Sequence, residues 1–285
     1  MEAMALELQG VTKQYGDFTL DHVSFTVPKG SIVGLIGENG AGKSTTINAV
    51  LGLIHTQEGT VRLLGSRGPE EVNREEMGVV FDGNNYPTML TPRQMGKVFP
   101  GLYRSWDEEK YREILERFQI PANKKIKEFS KGMKMKYSIA VAFSHHVKLL
   151  ILDEATSGLD PIMRDEVLDM LLEFIQDEDH AVLVSSHITS DLEKVADYIV
   201  FLHRGKIIFS SPKDDLLENY GIIKCGADQF AKIRKEDILS YRKLDCEWQA
   251  LVANRHEAKK KYPQALVVPA SLDEIMLLYV KGEEK

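Results

Sequence analysis

The sequence is poor in the features that secreted, membrane-spanning and nucleic-acid-coating proteins need. Two cysteines, Cys225 and Cys246, cannot staple a 285-residue chain, and their scarcity fits a reducing compartment. No Cys/His spacing resembles a zinc site. Met1 to Gly10 carries acids and lacks an apolar signal core. No apolar run approaches the roughly 18 residues of a membrane span. One of the longest, Val147–Leu152, is interrupted by Lys148 and reads as a buried strand. Basic residues are not in excess: 36 Lys and Arg stand against 43 Asp and Glu, a formal net charge of -7. A general nucleic-acid binder favours a basic face instead. The transmembrane, secreted and disulfide-framed classes are thereby excluded, and a soluble, cytosolic chain is expected.

What is present is the composition of a folded protein, 43% hydrophobic and 28% charged, with enough apolar surface to offset ordering entropy. At roughly 150 residues per domain the length predicts about two domains. Strand patterns cover Ala5–Val11 and Phe18–Val27, followed by turn chemistry at Pro28-Lys29-Gly30. Ser31–Ile36 is a short apolar run, Lys43–Leu53 turns helical, and Gly59–Leu64 and Gly78–Phe81 read as strands. Between about Pro87 and Ser144 helices dominate: Pro92–Phe99, Asp107–Phe118 with Asp107 as N-cap, and Ser130–Phe143. Strand and helix then alternate through Leu149–Leu152, Pro161–Gln176, Ala181–Ser185, Ser190–Ala196 and Tyr198–Leu202, with Gly205 turning into Lys206–Ser210. Beyond Tyr220 only short strands (Ile222–Cys225, Trp248–Val252, Leu266–Val268) and an amphipathic helix, Leu272–Tyr279, are legible.

Between the Ser31–Ile36 strand and the following helix lies Gly37-Glu38-Asn39-Gly40-Ala41-Gly42-Lys43-Ser44, a full G-x-x-x-x-G-K-[ST] match in its expected strand–helix setting. A loop that wraps a polyphosphate closely excludes bulky side chains, so that backbone N–H groups and the helix N-terminus face the anion. Lys43 adds a point charge for the β/γ-phosphates, and the Ser44 hydroxyl can ligate Mg²⁺. By itself the match establishes a nucleotide-binding loop.

Leu149-Leu150-Ile151-Leu152-Asp153-Glu154 is four apolar residues followed by two acids. A buried strand ending so puts carboxylates at the carboxyl edge of a parallel sheet, where open α/β sheets bind ligands. Asp153 would hold Mg²⁺, directly or through water, and Glu154 would polarise the attacking water. Taken alone, acids at a strand end are ordinary solvated groups; the upstream phosphate loop tips the reading. A glutamate directly after the Mg²⁺ aspartate suggests an ATPase that hydrolyses with its own base.

With these two motifs, the chain resembles the ATP-binding subunits of ABC transporters over about Ala5 to Ser211. Phe129-Ser130-Lys131-Gly132-Met133-Lys134 is similar to the family's signature sequence, Ala155-Thr156-Ser157-Gly158-Leu159-Asp160-Pro161 to its D-loop, and Ser185-Ser186-His187 to a strand ending in its switch histidine. The resemblance implies an α/β P-loop NTPase of ABC ATPase type. An antiparallel β subdomain at the N-terminus, an inserted α-helical subdomain (about 87–144) and a small α+β C-terminal appendage (221–285, after an ATPase domain of 1–220) complete it. It also implies roles. Tyr15 stacks on adenine; Gly37, Asn39, Gly40, Ala41, Gly42, Lys43, Ser44 and Thr45 bind ATP. Glu154, His187 and Lys43 are catalytic, with His187 donating to the γ-phosphate and holding Glu154. Ser44, Asp153 and Asp82 ligate Mg²⁺, and Asp82 lies also against ATP. Ser130, Lys131, Gly132 and Met133 act on the ATP of the opposite subunit, which Ser157 and Asp160 of the D-loop also approach. Each has a plainer local reading: Tyr15 a surface tyrosine, Ser130 and Asp160 helix N-caps, and His187 a structural histidine.

The cofactors implied are ATP and Mg²⁺. With one phosphate loop per chain, the resemblance implies a homodimer, or a heterodimer with a homologous ATPase. Separate transmembrane permease subunits would hold it on the inner, cytoplasmic face of the cell membrane, and no direct nucleic-acid partner is expected. A soluble ABC-type ATPase acting as a regulatory or ribosome-associated module, without transport, is the competing reading. The pattern departs from the family at two places. Asp82 stands where glutamine is usual, before the Gly83-Asn84-Asn85 turn. Lys131 replaces a glycine and Met133 a glutamine in the signature. Such substitutions resemble the branch that serves bacterial exporters of antibiotic or peptide type.

Overall fold

The computed structural model describes residues 3–83, 86–245 and 247–283. The second cysteine, Cys246, and two residues of the expected turn, Asn84 and Asn85, lie outside the described residues. The chain opens with strands β1 (Met4–Tyr15), β2 (Phe18–Pro28) and β3 (Ser31–Ile36), helix α1 (Lys43–Val50), and strands β4 (Glu58–Leu63) and β5 (Met77–Val80). Helices α2 (Pro92–Gly96), α3 (Glu108–Arg117) and α4 (Lys131–Ala142) follow. Then come β6 (Leu149–Asp153), α5 (Pro161–Phe174), β7 (Ala181–Ser186), α6 (Thr189–Val195), β8 (Tyr198–His203) and β9 (Lys206–Pro212). The remainder is α7 (Lys213–Asn219), β10 (Gly221–Cys225), α8 (Ala227–Phe230), β11 (Ser240–Leu244), β12 (Glu247–Val252), α9 (Arg255–Lys261), β13 (Leu266–Pro269) and α10 (Leu272–Lys281).

These strands form three sheets. An antiparallel one runs β2-β1-β4, a six-stranded one β5-β6-β7-β3-β8-β9, and a C-terminal one β11-β12-β10-β13. In the central sheet β5, β6, β7, β3 and β8 are parallel, and β9 closes it as an antiparallel hairpin on β8. Period-2 alternation sorts its apolar side chains onto two faces. Val33, Leu35, Leu149, Ile151, Ala181 and Leu183 pack with α1 and the N-terminal sheet. Ile32, Ile36, Leu150, Leu152, Val182 and Val184 pack with the helices of the other layer. Buried on both faces, these strands read in the sequence as unbroken apolar runs.

Two sequence expectations need adjusting. The helix expected over Pro92–Phe99 stops at Gly96 and resumes as a separate 3₁₀ turn, Phe99–Gly101. The structure adds α7 just before Tyr220, and α8, α9 and β11 beyond it, to the three strands and one helix read there from the sequence. These additions carry little apolar pattern: α7 buries only Leu216 and α9 only Ala258. α9 is fixed instead by its cap, Asn254 Oδ1 accepting from Glu257 N at 3.0 Å.

The C-terminal sheet is two-faced. Ile223, Cys225, Ala250 and Val252 form a core of its own with Ile233, Ile238 and Val267. Ile222 and Leu251, with Leu272, Ile275 and Leu278 of α10, belong to the same hydrophobic cluster as the central sheet. The appendage is therefore docked through apolar packing, and α10 lies against α6.

Candidate active site

The phosphate loop spans the carboxyl end of β3 and the start of α1. Gly42, the residue before α1, has φ 112°, a left-handed conformation that costs a side-chain-bearing residue energy. A Cβ there would also lie 2.8 Å from the Phe18 ring, and one on Gly37 only 2.4 Å from the Leu202 carbonyl oxygen. Gly37 and Gly42 of this loop are thus required by close packing from behind, whereas at its Gly40 the left-handed backbone, φ 81°, is what favours glycine. Behind it, Thr46 Oγ1 donates to the Gly42 carbonyl at 2.9 Å, a support within a buried turn that the motif does not specify. Ser44 is exposed and Thr45 half-buried at the start of α1.

Lys43 is only 6% exposed, and its ammonium has two hydrogen bonds and one ion pair. Nζ donates to the Gly37 carbonyl at 2.8 Å and to that of Glu38 at 3.3 Å, and lies 3.1 Å from Glu154 Oε1. Glu154 Oε2 is 2.5 Å from His187 Nδ1 and accepts a longer bond from the His187 N–H at 3.4 Å. An ionised carboxylate can only accept, so Nδ1 carries the proton. Glu154 is thus held between a cation and an imidazole at the edge of the central sheet.

Its backbone is held as firmly. Glu154 has φ 53°, a conformation that non-glycine residues adopt at a cost and that clusters at functional sites. Its N–H donates to the Ser185 carbonyl and to Ser185 Oγ, each at 3.1 Å. Ser185 Oγ in turn donates to Asp153 Oδ1 at 2.5 Å. One fully buried hydroxyl on β7 therefore fixes both acids at the end of β6, with Asp153 paired to Ser185 across the parallel register. Motif spacing did not single out Ser185; its signal was its place at the buried end of the strand leading to His187.

A second group assembles around α4. Ser130 is its N-cap, Oγ accepting from Met133 N at 3.2 Å. Gly132 lies so close to the D-loop that a Cβ would meet the Gly158 carbonyl oxygen at 3.3 Å. Met133 is half-buried against the hydrophobic cluster of the helical layer. Asp160 caps α5, accepting from Met163 N at 3.1 Å ahead of Pro161, and Ser157 N–H donates to the Glu154 carbonyl at 3.0 Å. The plainer readings of Ser130 and Asp160 as caps are what the geometry shows, and neither conflicts with a phosphate-facing role.

Asp82, expected near Mg²⁺, has its Oδ1 2.9 Å from Lys131 Nζ. It follows β5, whose Val80 is in register with Leu152 of β6, so it stands on the same sheet edge as Asp153 and Glu154. Tyr15 ends β1, 44% exposed, with Lys13 Nζ 5.0 Å from its ring centroid. Its π-face is on the surface, while Lys43, Asp153, Glu154 and His187 form the connected cluster. Asn39 and Gly40 lie exposed at the loop tip, and Ala41 is buried behind it.

The chain's likeness to known proteins agrees with this geometry. Residues 20–157 match the sequence family described as ABC transporter. The Bacillus subtilis "ABC transporter ATP-binding protein YtrB" is 27% identical over 98% of this chain and 99% of its own length. The Enterococcus faecalis "Bacitracin transport ATP-binding protein BcrA" is 33% identical over 71% of this chain and 68% of its own. A solved "ATP binding subunit of ABC transporter" superposes with TM-score 0.67 at 30% identity, covering 75% of this chain and 92% of that one. A phosphate loop whose lysine meets the glutamate at the end of β6, on a central sheet shared with solved cassettes, makes this chain a member of the ABC transporter ATP-binding family, an ATP-hydrolysing subunit of the P-loop α/β fold.

Proposed function

We propose that two such chains, identical or homologous, close around two ATP molecules and that hydrolysis drives a separate membrane permease in the direction of export. The observation that carries the hydrolytic step is Glu154, whose two carboxylate oxygens face Lys43 and His187. Arrival of a polyphosphate gives Lys43 a stronger anion than Glu154, so the carboxylate loses its cation and becomes a better base. His187 can then leave Glu154 for phosphate or hold it toward water.

The donor set suits Mg²⁺, which takes hard oxygen ligands from one or two carboxylates and the substrate's phosphates. Asp153, at the end of β6, and the Ser44 hydroxyl, in the first turn of the α1 helix that packs on β6, would hold it. When bound it neutralises charge on the β- and γ-phosphates. A signature on α4 that lies against its own D-loop, beside Asp160, supports a site completed from the opposite chain.

A permease needs a docking place. A cavity of about 320 Å³ opens between the core and the helical layer, lined among others by Leu51, Leu53, Val72, Phe81, Tyr86 and Tyr103. Leu53 is 56% exposed. This groove beside Phe81 and Tyr86 supports seating of a permease's cytoplasmic helix and a peripheral place on the inner membrane face. No helix among the described residues is long and apolar enough to cross a membrane. The bacitracin relative supports a peptide-antibiotic class of cargo.

Glu154→Gln tests the reading. It is expected to lower phosphate release roughly 10²-fold or more while ATP binding persists. Hydrolysis at the native rate would remove Glu154 as the base. For the permease, crosslinks from a co-purified partner are expected at Leu53, Tyr86 or Tyr103; a partner that crosslinked only elsewhere would move the docking place.

A further inference from the structure

Two departures from the family pattern meet in space. Asp82, in the place of a glutamine, and Lys131, in the place of a glycine, form an ion pair of 2.9 Å. Lys131 is the first residue of α4, and the first turn of that helix contains no acid. Its N-terminus is therefore positive twice over, from the helix dipole and from the ammonium. Asp82 supplies the anion that this terminus lacks. It comes from the loop after β5, on the sheet edge that carries Asp153 and Glu154.

Both side chains are about half exposed, 46% for Asp82 and 59% for Lys131. An exposed pair contributes little net stability, because water competes for each charge. Such a contact is easily exchanged for a stronger anion. A triphosphate is that anion: it carries several charges, and its terminal group accepts several charge-assisted hydrogen bonds.

We propose that Asp82 is an internal stand-in for the γ-phosphate. In the free chain it holds Lys131 and the start of α4; on closure, the triphosphate carried by the opposite chain displaces it. The proposal rests on the two-chain reading above and deepens it by naming the group that opens the latch. A nucleoside diphosphate lacks the terminal phosphate and leaves Asp82 in place. The pair also explains why both substitutions occur together: Lys131 alone would leave an uncompensated charge at the terminus, and Asp82 alone would add a negative charge beside Asp153 and Glu154.

The test is ATP-dependent dimerisation of the Glu154→Gln chain with Mg²⁺, followed by light scattering, with Asp82→Asn, Lys131→Gly and both together added. Asp82→Asn is expected to lower the ATP concentration for half-dimerisation roughly threefold, the scale of an exposed ion pair. Lys131→Gly is expected to raise it, and with glycine at that position Asp82→Asn should have no further effect. ADP should give no dimer in any variant. An Asp82→Asn chain that needs more ATP, as loss of a metal ligand would require, overturns the proposal. So does an Asp82→Asn effect of equal size with and without Lys131. Absence of a dimer in every variant at saturating ATP is a different failure, which removes the two-chain reading and this proposal with it.

Discussion

Glu154 combines an unfavourable backbone conformation with two strong side-chain contacts, and Ser185 is what reconciles them. Its hydroxyl donates to Asp153 and accepts from the Glu154 N–H, so one buried atom sets the direction of both acids. Ser185→Ala takes a donor from the buried Asp153 carboxylate and leaves the Glu154 N–H only the Ser185 carbonyl, a loss of about 1–3 kcal/mol. Urea unfolding should show that loss, and phosphate release should fall as well because Glu154 relaxes. A variant with unchanged activity would mean that the backbone bond from Glu154 N–H to the Ser185 carbonyl is enough. Lys43, Asp153, Glu154 and His187 were legible in the sequence because their spacing along the chain is tied to a strand end or a loop. Ser185 was not, since a serine inside an apolar strand has no period that marks it. The Asp82–Lys131 pair was equally hidden: each residue was visible as a departure, but their contact joins segments that only the fold brings together.

Among the elements, α6 links the site to parts far along the chain. It follows His187 directly, and Lys194 pairs with Asp165 of α5 at 2.6 Å. Glu193 Oε1 accepts from the Leu272 N–H at the start of α10 at 2.8 Å, while its carbonyl accepts from Lys213 Nζ at 2.9 Å. The helix that follows His187 is thus tied to both α5 and the appendage. Glu193→Ala removes a carboxylate from the N-terminus of α10, a loss of about 0.3–1 kcal/mol that a thermal melt should register. A melt unchanged from the parent would show that Ser271 and Glu274, which form a capping box there, suffice alone.

His145 illustrates the seam between the helical layer and the core. It is 7% exposed, stacks on Tyr103 at 4.2 Å, and its Nδ1 lies 2.9 Å from the Glu75 carbonyl. Burial pushes its pKa below the ordinary value of 6.5, against an opposing pull from that carbonyl. The folded protein therefore binds this proton less readily than the unfolded chain. Its contribution to stability is full above about pH 6.5 and is lost as pH falls below that value. Urea midpoints should drop across this window, and less so in His145→Phe; an equal drop in both would place the effect elsewhere. Strong elements such as β3, β6 and β7 were legible from their apolar runs, whereas α7, α8, α9 and β11 were not. Their positions are set by caps, hairpin pairing and a partner surface, none of which leaves a hydrophobic period.

For the whole molecule, the appendage proves to be no loose tail. Ile275 and Leu278 of α10 share a cluster with Leu152 and Val184 of the central sheet. Ile275 is fully buried, so Ile275→Ala should cost about 2–5 kcal/mol. Because Ile275 sits in the cluster shared with the central sheet, the loss should shift one cooperative transition for the entire chain. Early melting of the appendage alone, with the ATPase transition unmoved, would show two independent units. The same molecule presents Glu154 on one cluster and Ser130 on another, and under the proposed function two chains exchange these to hydrolyse ATP. Mixing Glu154→Gln with Ser130→Arg tests this most directly. Each variant alone should release almost no phosphate. In a mixed pair one site receives both lesions and the other receives none, so activity should reappear on mixing. A mixture no more active than the sum of its two inactive components would contradict a site shared between two chains.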